Sequence, residues 1–437
     1  LVFPAPLFNG FADLEATREE AAARKDRKVT AKVTEDRMYR FWDHWLTDGE
    51  IHHLFEVSAD GGEVTDLTPG WDRPFELDDP GGAFDVAPDG EIAFHSLSHS
   101  PPYDEAGYAV YILSPGGEPE PLWPDGPPLQ AAPRYSPDGG SLAFGYSVLY
   151  PGFYADRLRL TVVDRSSGER RVLTEEWDQS CSGWAWSADG SVLAFAAEHD
   201  ARQHLYTIPA AGGTPKRFAD GGTLSGPSPA GGGAWWCLHQ SLLEPPDAAI
   251  ADADGVRRLG GFNDALLEEL DLGSVRDVRF EGARDDEIQM WVVEPPGFDA
   301  GEQWPLVHSI HGGPHGIFGD GWHWRWNPLV FASPGYLVAL VNFHGSTSWG
   351  TEFAVSIQGA WGEMPTIDVN AATDHLIAEG SVDPDRTAIT GGSYGGYMVA
   401  WLIGQTDRYR TAICHAGVTN LLGQYATDAT YGRAAAF

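Results

Sequence analysis

A turn that occurs three times constrains this chain more than any other feature. Ala87-Pro88-Asp89-Gly90, Ser136-Pro137-Asp138-Gly139 and Ser187-Ala188-Asp189-Gly190 lie about 50 residues apart. Each precedes an apolar run: Ile92-Ala93-Phe94, Leu142-Ala143-Phe144 and Leu193-Ala194-Phe195. Asp-Gly supplies the positive φ that a tight hairpin needs. A second set of turns interleaves with the first: Ala59-Asp60-Gly61-Gly62, Ser114-Pro115-Gly116-Gly117, Ser166-Ser167-Gly168, Ala211-Gly212-Gly213 and Asp254-Gly255. Apolar runs such as Val110-Tyr111-Ile112-Leu113 and Leu160-Thr161-Val162-Val163 lead into them. Two hairpins in each period of roughly 40–50 residues make a four-stranded sheet that repeats, the pattern of β-propeller blades. Residues 1–265 are therefore expected to form a propeller domain, with four to five blades present. The Gly-His…Trp-Asp signature of WD40 arrays is absent. An irregular β-sandwich is the alternative, but it gives no reason for the fixed period.

The chain has 437 residues, too many for one ordinary core, so at least two domains are expected. Its formal charge of −35 argues against nucleic acid or an anionic membrane as partner. Cys181, Cys237 and Cys414 have neither a disulfide nor a metal spacing. They read as small buried hydrophobes and lean towards a cytoplasmic location. No apolar run reaches membrane-spanning length. Leu1-Val2-Phe3 reads as a strand without an initiating methionine, and Ala434-Ala435-Ala436-Phe437 closes the sequence. Both ends read as cut, so secretion stays open. Residues 13–32 read as an exposed charged helix.

From residue 266 the texture changes. Residues 263–287 read as a linker, and Ile288-Gln289-Met290-Trp291-Val292-Val293 as an antiparallel strand. Pro305-Leu306-Val307-His308-Ser309-Ile310 and Tyr336-Leu337-Val338-Ala339-Leu340-Val341 are nearly continuous apolar runs, as for strands buried on both faces. A helix is expected over 366–379 with Thr366 as its N-cap. Strands alternating with helices predict a doubly wound α/β domain over 266–437, with ligands beyond the carboxyl ends of its strands.

Gly391-Gly392-Ser393-Tyr394-Gly395-Gly396-Tyr397 lies between the run 387–390, read as a strand, and the run 397–403, read as a helix. Strand, sharp turn and helix with Gly-x-Ser-x-Gly between them is a nucleophile elbow. Ser393 is the candidate nucleophile, and the Tyr394 N–H a candidate oxyanion donor. His311-Gly312-Gly313-Pro314 follows a buried strand and resembles an oxyanion loop, which makes the Gly313 N–H the second donor. His311 reads as a residue that orders this loop. His315, His323, His344 and His415 are weaker base candidates, although His415 is expected at the site rim. Asp368 reads as a helix-start carboxylate and 383–386 as a turn. In this hydrolase order the acid and then the histidine follow the serine. Only 44 residues follow Ser393, and Asp407 and Asp428 come too early, so both partners are expected beyond Phe437. No metal or cofactor is implied.

The hairpin array, then Ile310-His311-Gly312-Gly313-Pro314-His315-Gly316, Asn342-Phe343-His344-Gly345-Ser346-Thr347, Trp361-Gly362 and the elbow resemble the prolyl oligopeptidase family of serine peptidases. The acylaminoacyl and dipeptidyl peptidase branch is the most similar, also in the stretch Phe262-Asn263-Asp264-Ala265-Leu266-Leu267. The resemblance implies a seven-bladed propeller, here lacking its amino-terminal part, that admits only short peptides or peptide termini. It implies acyl transfer through Ser393 in an exopeptidase. Two positions depart from the family pattern. His311 stands where prolyl oligopeptidase has an oxyanion tyrosine, and His344 stands where many relatives have arginine. An esterase of the same fold and an inert peptide-binding fragment are the rival readings, and homo-oligomerisation stays open.

Overall fold

The computed structural model describes residues 1–8, 10–11, 13–36, 38–46, 49–77, 80–101, 107–148, 155–425 and 427. Asp428 and the stretch 434–437 lie outside the described residues. The chain forms two compact units. One comprises Leu1–Phe153, Arg159–Val172 and Leu421–Phe437; the other comprises Tyr154–Leu158 and Leu173–Asn420.

In the first unit, Val2–Phe8, Glu50–Glu56 and Thr65–Asp66 form a three-stranded sheet. Two four-stranded antiparallel meanders follow. The first is Phe84–Val86, Ile92–Leu97, Tyr108–Leu113 and Glu120–Pro121; the second is Leu129–Tyr135, Ser141–Ser147, Arg159–Asp164 and Arg170–Val172. The second unit holds two more: Ser182–Trp186, Val192–His199, Arg202–Pro209 and Lys216–Ala219, then Thr223–Gly231, Ala234–Gln240, Asp247–Asp252 and Gly255–Arg258. Within each pair, successive meanders touch through one parallel bridge, Leu129 to Tyr108 and Gln203 to Thr223. Among the described residues no sheet closes on itself.

The repeated turns have the chemistry expected of them. Gly90, Gly139 and Gly190 adopt φ of 86°, 71° and 70°. Their N–H groups return to Ala87, Ser136 and Ser187. Asp189 fixes its turn by accepting from the Ser187 hydroxyl at 2.7 Å and the Ser191 N–H at 3.1 Å. The charged helix is shorter than expected: Leu14–Lys25, with the Asp13 carboxylate capping the Ala16 N–H at 2.8 Å. Residues 26–32 supply no apolar face to extend it.

The rest of the second unit is built on a six-stranded sheet. Its strands are β1 (Ser274–Glu281), β2 (Glu287–Glu294), β3 (Trp304–Ile310), β4 (Leu337–Asn342), β5 (Val382–Gly392) and β6 (Thr411–His415). They stand in the order β1-β2-β4-β3-β5-β6, with β1, β2 and β4 antiparallel and β4, β3, β5 and β6 parallel. The helices used below are α1 (Pro328–Ala332), α2 (Thr351–Val355), α3 (Glu363–Glu379) and α4 (Tyr394–Ile403). Leu306, Leu337, Ala339, Val341 and Ile389 of the sheet pack with Val369 and Leu376 of α3 and Met398 and Leu402 of α4.

Four expectations need correction. The supposed linker contains β1, whose alternation is masked by Arg276 on the face of Val278 and Phe280 and by Asp277 and Arg279 on the other face. Helix α3 begins at Glu363 with Gly362 as N-cap, and Thr366 instead turns its hydroxyl back to the Gly362 carbonyl at 2.6 Å. Pro365 sits in the first turn, where its missing N–H costs nothing. Helix α4 begins at Tyr394, directly after the serine, rather than at Tyr397. Residues 383–386 fall within β5, but the register breaks between Trp304–Val382 and Leu306–Thr387, so a turn-like bulge interrupts the strand.

Leu337 is wholly buried in this core. Leu337→Ala is expected to cost about 2–5 kcal/mol. A lowered denaturant midpoint with an unchanged m-value would show it; an unchanged midpoint would contradict the packing described.

Candidate active site

The elbow is built by the close approach of three backbones. Ser393 has φ 58° and ψ −119°, a conformation that costs an L-residue on the order of 1–3 kcal/mol. The glycines around it are required by space. A Cβ on Gly391 would meet the Gly395 backbone at 2.6 Å, and one on Gly395 would lie 2.1 Å from the Ile310 carbonyl oxygen. One on Gly396 would lie 2.6 Å from the Gly417 Cα. The β6 end holds the turn from the other side, where the His415 carbonyl accepts the Ser393 N–H at 3.0 Å. Ser393 itself is half-buried.

The end of β3 runs against this turn. A Cβ on Gly312 would lie 3.5 Å from the Ser393 Cβ and 3.2 Å from the Gly392 carbonyl oxygen. Gly313 follows at φ 123°, where a side chain would strike the His315 N–H nitrogen at 2.6 Å. Tyr394 is the first residue of α4, so its N–H has no acceptor one turn back. The Gly313 N–H also has no hydrogen-bond partner among the described residues. The Tyr394 side chain is an anchor: its ring is buried and its hydroxyl donates to the Trp361 carbonyl at 2.6 Å. Gly362 must be glycine because a Cβ there would meet the Trp401 ring at 2.4 Å.

His311 is tied into the loop. Its Nδ1–H donates to the Gly312 carbonyl at 2.8 Å, and its Nε2 accepts from the Ser346 hydroxyl at 2.9 Å. The ring stacks on Phe343 at 4.2 Å. Burial pushes its pKa down to about 4, against the opposing Gly312 bond, so the ring is neutral near pH 7. His315 likewise donates from Nδ1 to the Gly345 carbonyl at 2.9 Å. His323 stacks on Trp326 at 5.8 Å, and His415 meets the same indole edge-on at 5.7 Å. His311, Gly312, His323, Trp326, Gly392 and His415 line a cavity of about 420 Å³ beside the elbow. No described imidazole or carboxylate hydrogen-bonds the Ser393 hydroxyl. Asp407 makes no contact with this cavity, and Asp428 lies outside the described residues. Cys181 and Cys237 are buried, but Cys414 is exposed, on the strand that edges the sheet among the described residues. No group of side chains with metal-ligand potential occurs among the described residues.

No sequence signal points to the network behind the loop. Asp368 is a wholly buried interior residue of α3, not a helix-start carboxylate. Its Oδ1 accepts the Ala283 N–H at 2.8 Å, and its Oδ2 accepts both the N–H and the Nδ1–H of His344 at 2.8 Å. The Nε2 of His344 lies 3.0 Å from Asp286. One imidazole thus ties the β1–β2 turn, the loop after β4 and α3 together. Burial would lower its pKa, but the two carboxylates outweigh that and the repulsion from Arg284, so it rises.

A six-stranded sheet of this order, with a Gly-x-Ser-x-Gly elbow after β5 and a glycine loop after β3, defines an α/β-hydrolase domain. The family model described as "Prolyl oligopeptidase family", Peptidase_S9, matches residues 322–435. Dipeptidyl-peptidase 5 of Aspergillus fumigatus is 28% identical over 442 residues, covering 90% of this chain and 60% of that protein. The protein of that name from Porphyromonas gingivalis is 28% identical over 414 residues, covering 92% and 60%. The acylaminoacyl peptidase structure from Pyrococcus horikoshii superposes with a TM-score of 0.75 at 20% identity, over 97% of this chain and 62% of that one. The chain belongs to the prolyl oligopeptidase family, peptidase family S9. It spans about three fifths of the length of the curated relatives it matches. Among the described residues no helix is long and apolar enough to cross a membrane.

The raised His344 pKa has a sign. Charged His344 contributes stability in full below the ordinary imidazole value of 6.5, and this is lost as pH rises through the folded value. His344→Gln should therefore be less stable than the parent below pH 6.5, and the difference should shrink as pH rises. Denaturant midpoints across pH check this; a gap that is constant with pH would contradict it. Taking the difference between the two proteins cancels the opposite trend from His308 and His311, whose buried rings have lowered pKa values.

Proposed function

We propose that the complete protein is a serine peptidase that cleaves short peptides by acyl transfer through Ser393. The serine attacks the scissile carbonyl, and the Tyr394 and Gly313 N–H groups take the oxyanion. A histidine oriented by an aspartate, contributed from outside residues 1–437, moves the proton. The observation that carries this reading is the close approach of the chain at Gly312 to Ser393, where a Cβ on the glycine would lie 3.5 Å from the Ser393 Cβ, with the Gly313 N–H left without a hydrogen-bond partner among the described residues and Tyr394 opening α4. Family membership supports it, and relatives named for dipeptidyl peptidase and acylaminoacyl peptidase activity point to an exopeptidase. We read the meanders within 1–265 as blades of a seven-bladed propeller that admits only peptides or flexible termini, with residues 266–437 as the catalytic domain. The single parallel bridges between four-stranded units support blades in succession. Three free cysteines support a cytoplasmic location. The partners in this reading are peptides, without nucleic acid, membrane, metal or cofactor.

Ser393→Ala should reduce kcat on peptide anilides by roughly 10⁴–10⁶-fold while leaving the unfolding midpoint in place. Steady-state kinetics on an anilide and a short-chain aryl ester measure this. Full activity in the variant would remove the nucleophile assignment, and turnover of the ester alone would favour an esterase.

A further inference from the structure

The loop after β4, residues 343–347, cradles the oxyanion loop. The Phe343 ring stacks on His311 at 4.2 Å, and the Ser346 hydroxyl meets the His311 Nε2 at 2.9 Å. The Gly345 carbonyl accepts from the His315 Nδ1–H at 2.9 Å, and the Thr347 N–H donates to the Gly316 carbonyl at 3.1 Å. Gly313 lies between these holding points, so the place of its N–H follows the place of the cradle.

His344 is in the middle of the cradle, but its side chain is spent elsewhere. The residue is wholly buried. Its Nδ1 lies 2.8 Å from the Asp368 carboxylate of α3, and its Nε2 lies 3.0 Å from the Asp286 carboxylate of the β1–β2 turn. Arg284 of the same turn donates to that Asp286 oxygen at 3.2 Å and 3.0 Å. From α2 the uncharged Phe353 ring stacks on the imidazole at 4.6 Å.

An ionised carboxylate only accepts, so both contacts are hydrogen bonds only while both ring nitrogens carry protons. A neutral imidazole has one N–H to give. Asp368 is wholly buried and has no water to turn to, so it keeps that N–H. The Nε2 lone pair then faces the Asp286 carboxylate at 3.0 Å. The Asp286 side chain is 44% exposed and already bonded to Arg284, so it is the partner that lets go. The cradle thereby loses its tie to the β1–β2 turn.

We propose that His344 is a positioning residue for the peptidase reaction: its doubly protonated ring fixes the cradle, the cradle fixes the Gly313 oxyanion donor, and loss of one ring proton lowers turnover. This rests on the peptidase reading above. The oxyanion forms only in the transition state, so the loss falls on kcat and leaves KM in place.

The test is kcat and KM of the whole protein on one peptide anilide between about pH 5 and 10. The two carboxylates raise the pKa of His344, so kcat should fall along an alkaline limb that lies above 6.5. A misplaced donor sets the drop at roughly 10–10²-fold. Asp286→Asn keeps an acceptor but removes a charge, and should move the limb to lower pH by about 1. His344→Gln should show a low kcat without the limb, and His344→Arg, with a permanent charge, should recover turnover and carry it to high pH. A wild type without an alkaline limb, or a limb at the same pH in Asp286→Asn, overturns the proposal, as does a limb that persists in His344→Gln. Labelling of Ser393 by a fluorophosphonate separates the two levels. With Ser393 labelled, such results sink only the role of His344; with Ser393 unreactive, the peptidase reading falls and the positioning role falls with it.

Discussion

The second unit depends on how closely β3, β5 and α4 approach one another at Gly391, Gly395 and Ile310. A single methyl group at Gly395 would lie 2.1 Å from a carbonyl oxygen of the neighbouring strand. No rotamer change relieves such a contact, because both partners are backbone. The crowding forces the chain to reverse within one residue, and that residue is Ser393 at positive φ. The strain is held by the Ser393 N–H bond to His415 and by the first turn of α4, where the Tyr397 N–H returns to the Ser393 carbonyl at 3.0 Å. The hydroxyl is presented by the geometry of the sheet, not by side-chain contacts of its own.

A second layer holds the glycine loop opposite. His311 and His315 spend their ring nitrogens on Gly312, Ser346 and Gly345, and burial keeps both rings uncharged. Behind them His344 joins α3 to the β1–β2 turn through Asp368 and Asp286. Unlike an arginine, a histidine can gain and lose its proton within the physiological range. Three histidines thus brace the structure around the elbow, and none of them hydrogen-bonds the Ser393 hydroxyl.

The features that could be read from the sequence are those written in local chemistry. Gly90, Gly139 and Gly190 announce positive φ through Asp-Gly, and the hairpins stand where those dipeptides fall. The buried run 337–341 reads as an inner strand because it lacks any polar alternation. The elbow is legible because the crowding dictates glycine at fixed spacing. The misses involve partners distant in the chain or signals that compete. Asp368 resembles a cap residue until Ala283, 85 positions away, is seen to donate to it. Strand β1 hides behind its charges. Thr366 has the composition of an N-cap, but a proline one position earlier already belongs to the helix. Glu198 and Thr347 are 149 residues apart, and no periodicity could have paired them.

The central claim is that one strained serine faces two free amides. The most direct measurement is a crystal structure of the whole protein after reaction with an aryl phosphonate. The account predicts phosphorus bonded to the Ser393 Oγ, with one phosphoryl oxygen within about 2.7–3.1 Å of the Tyr394 and Gly313 nitrogens. An adduct on another residue, or a phosphoryl oxygen turned away from both amides, would contradict it.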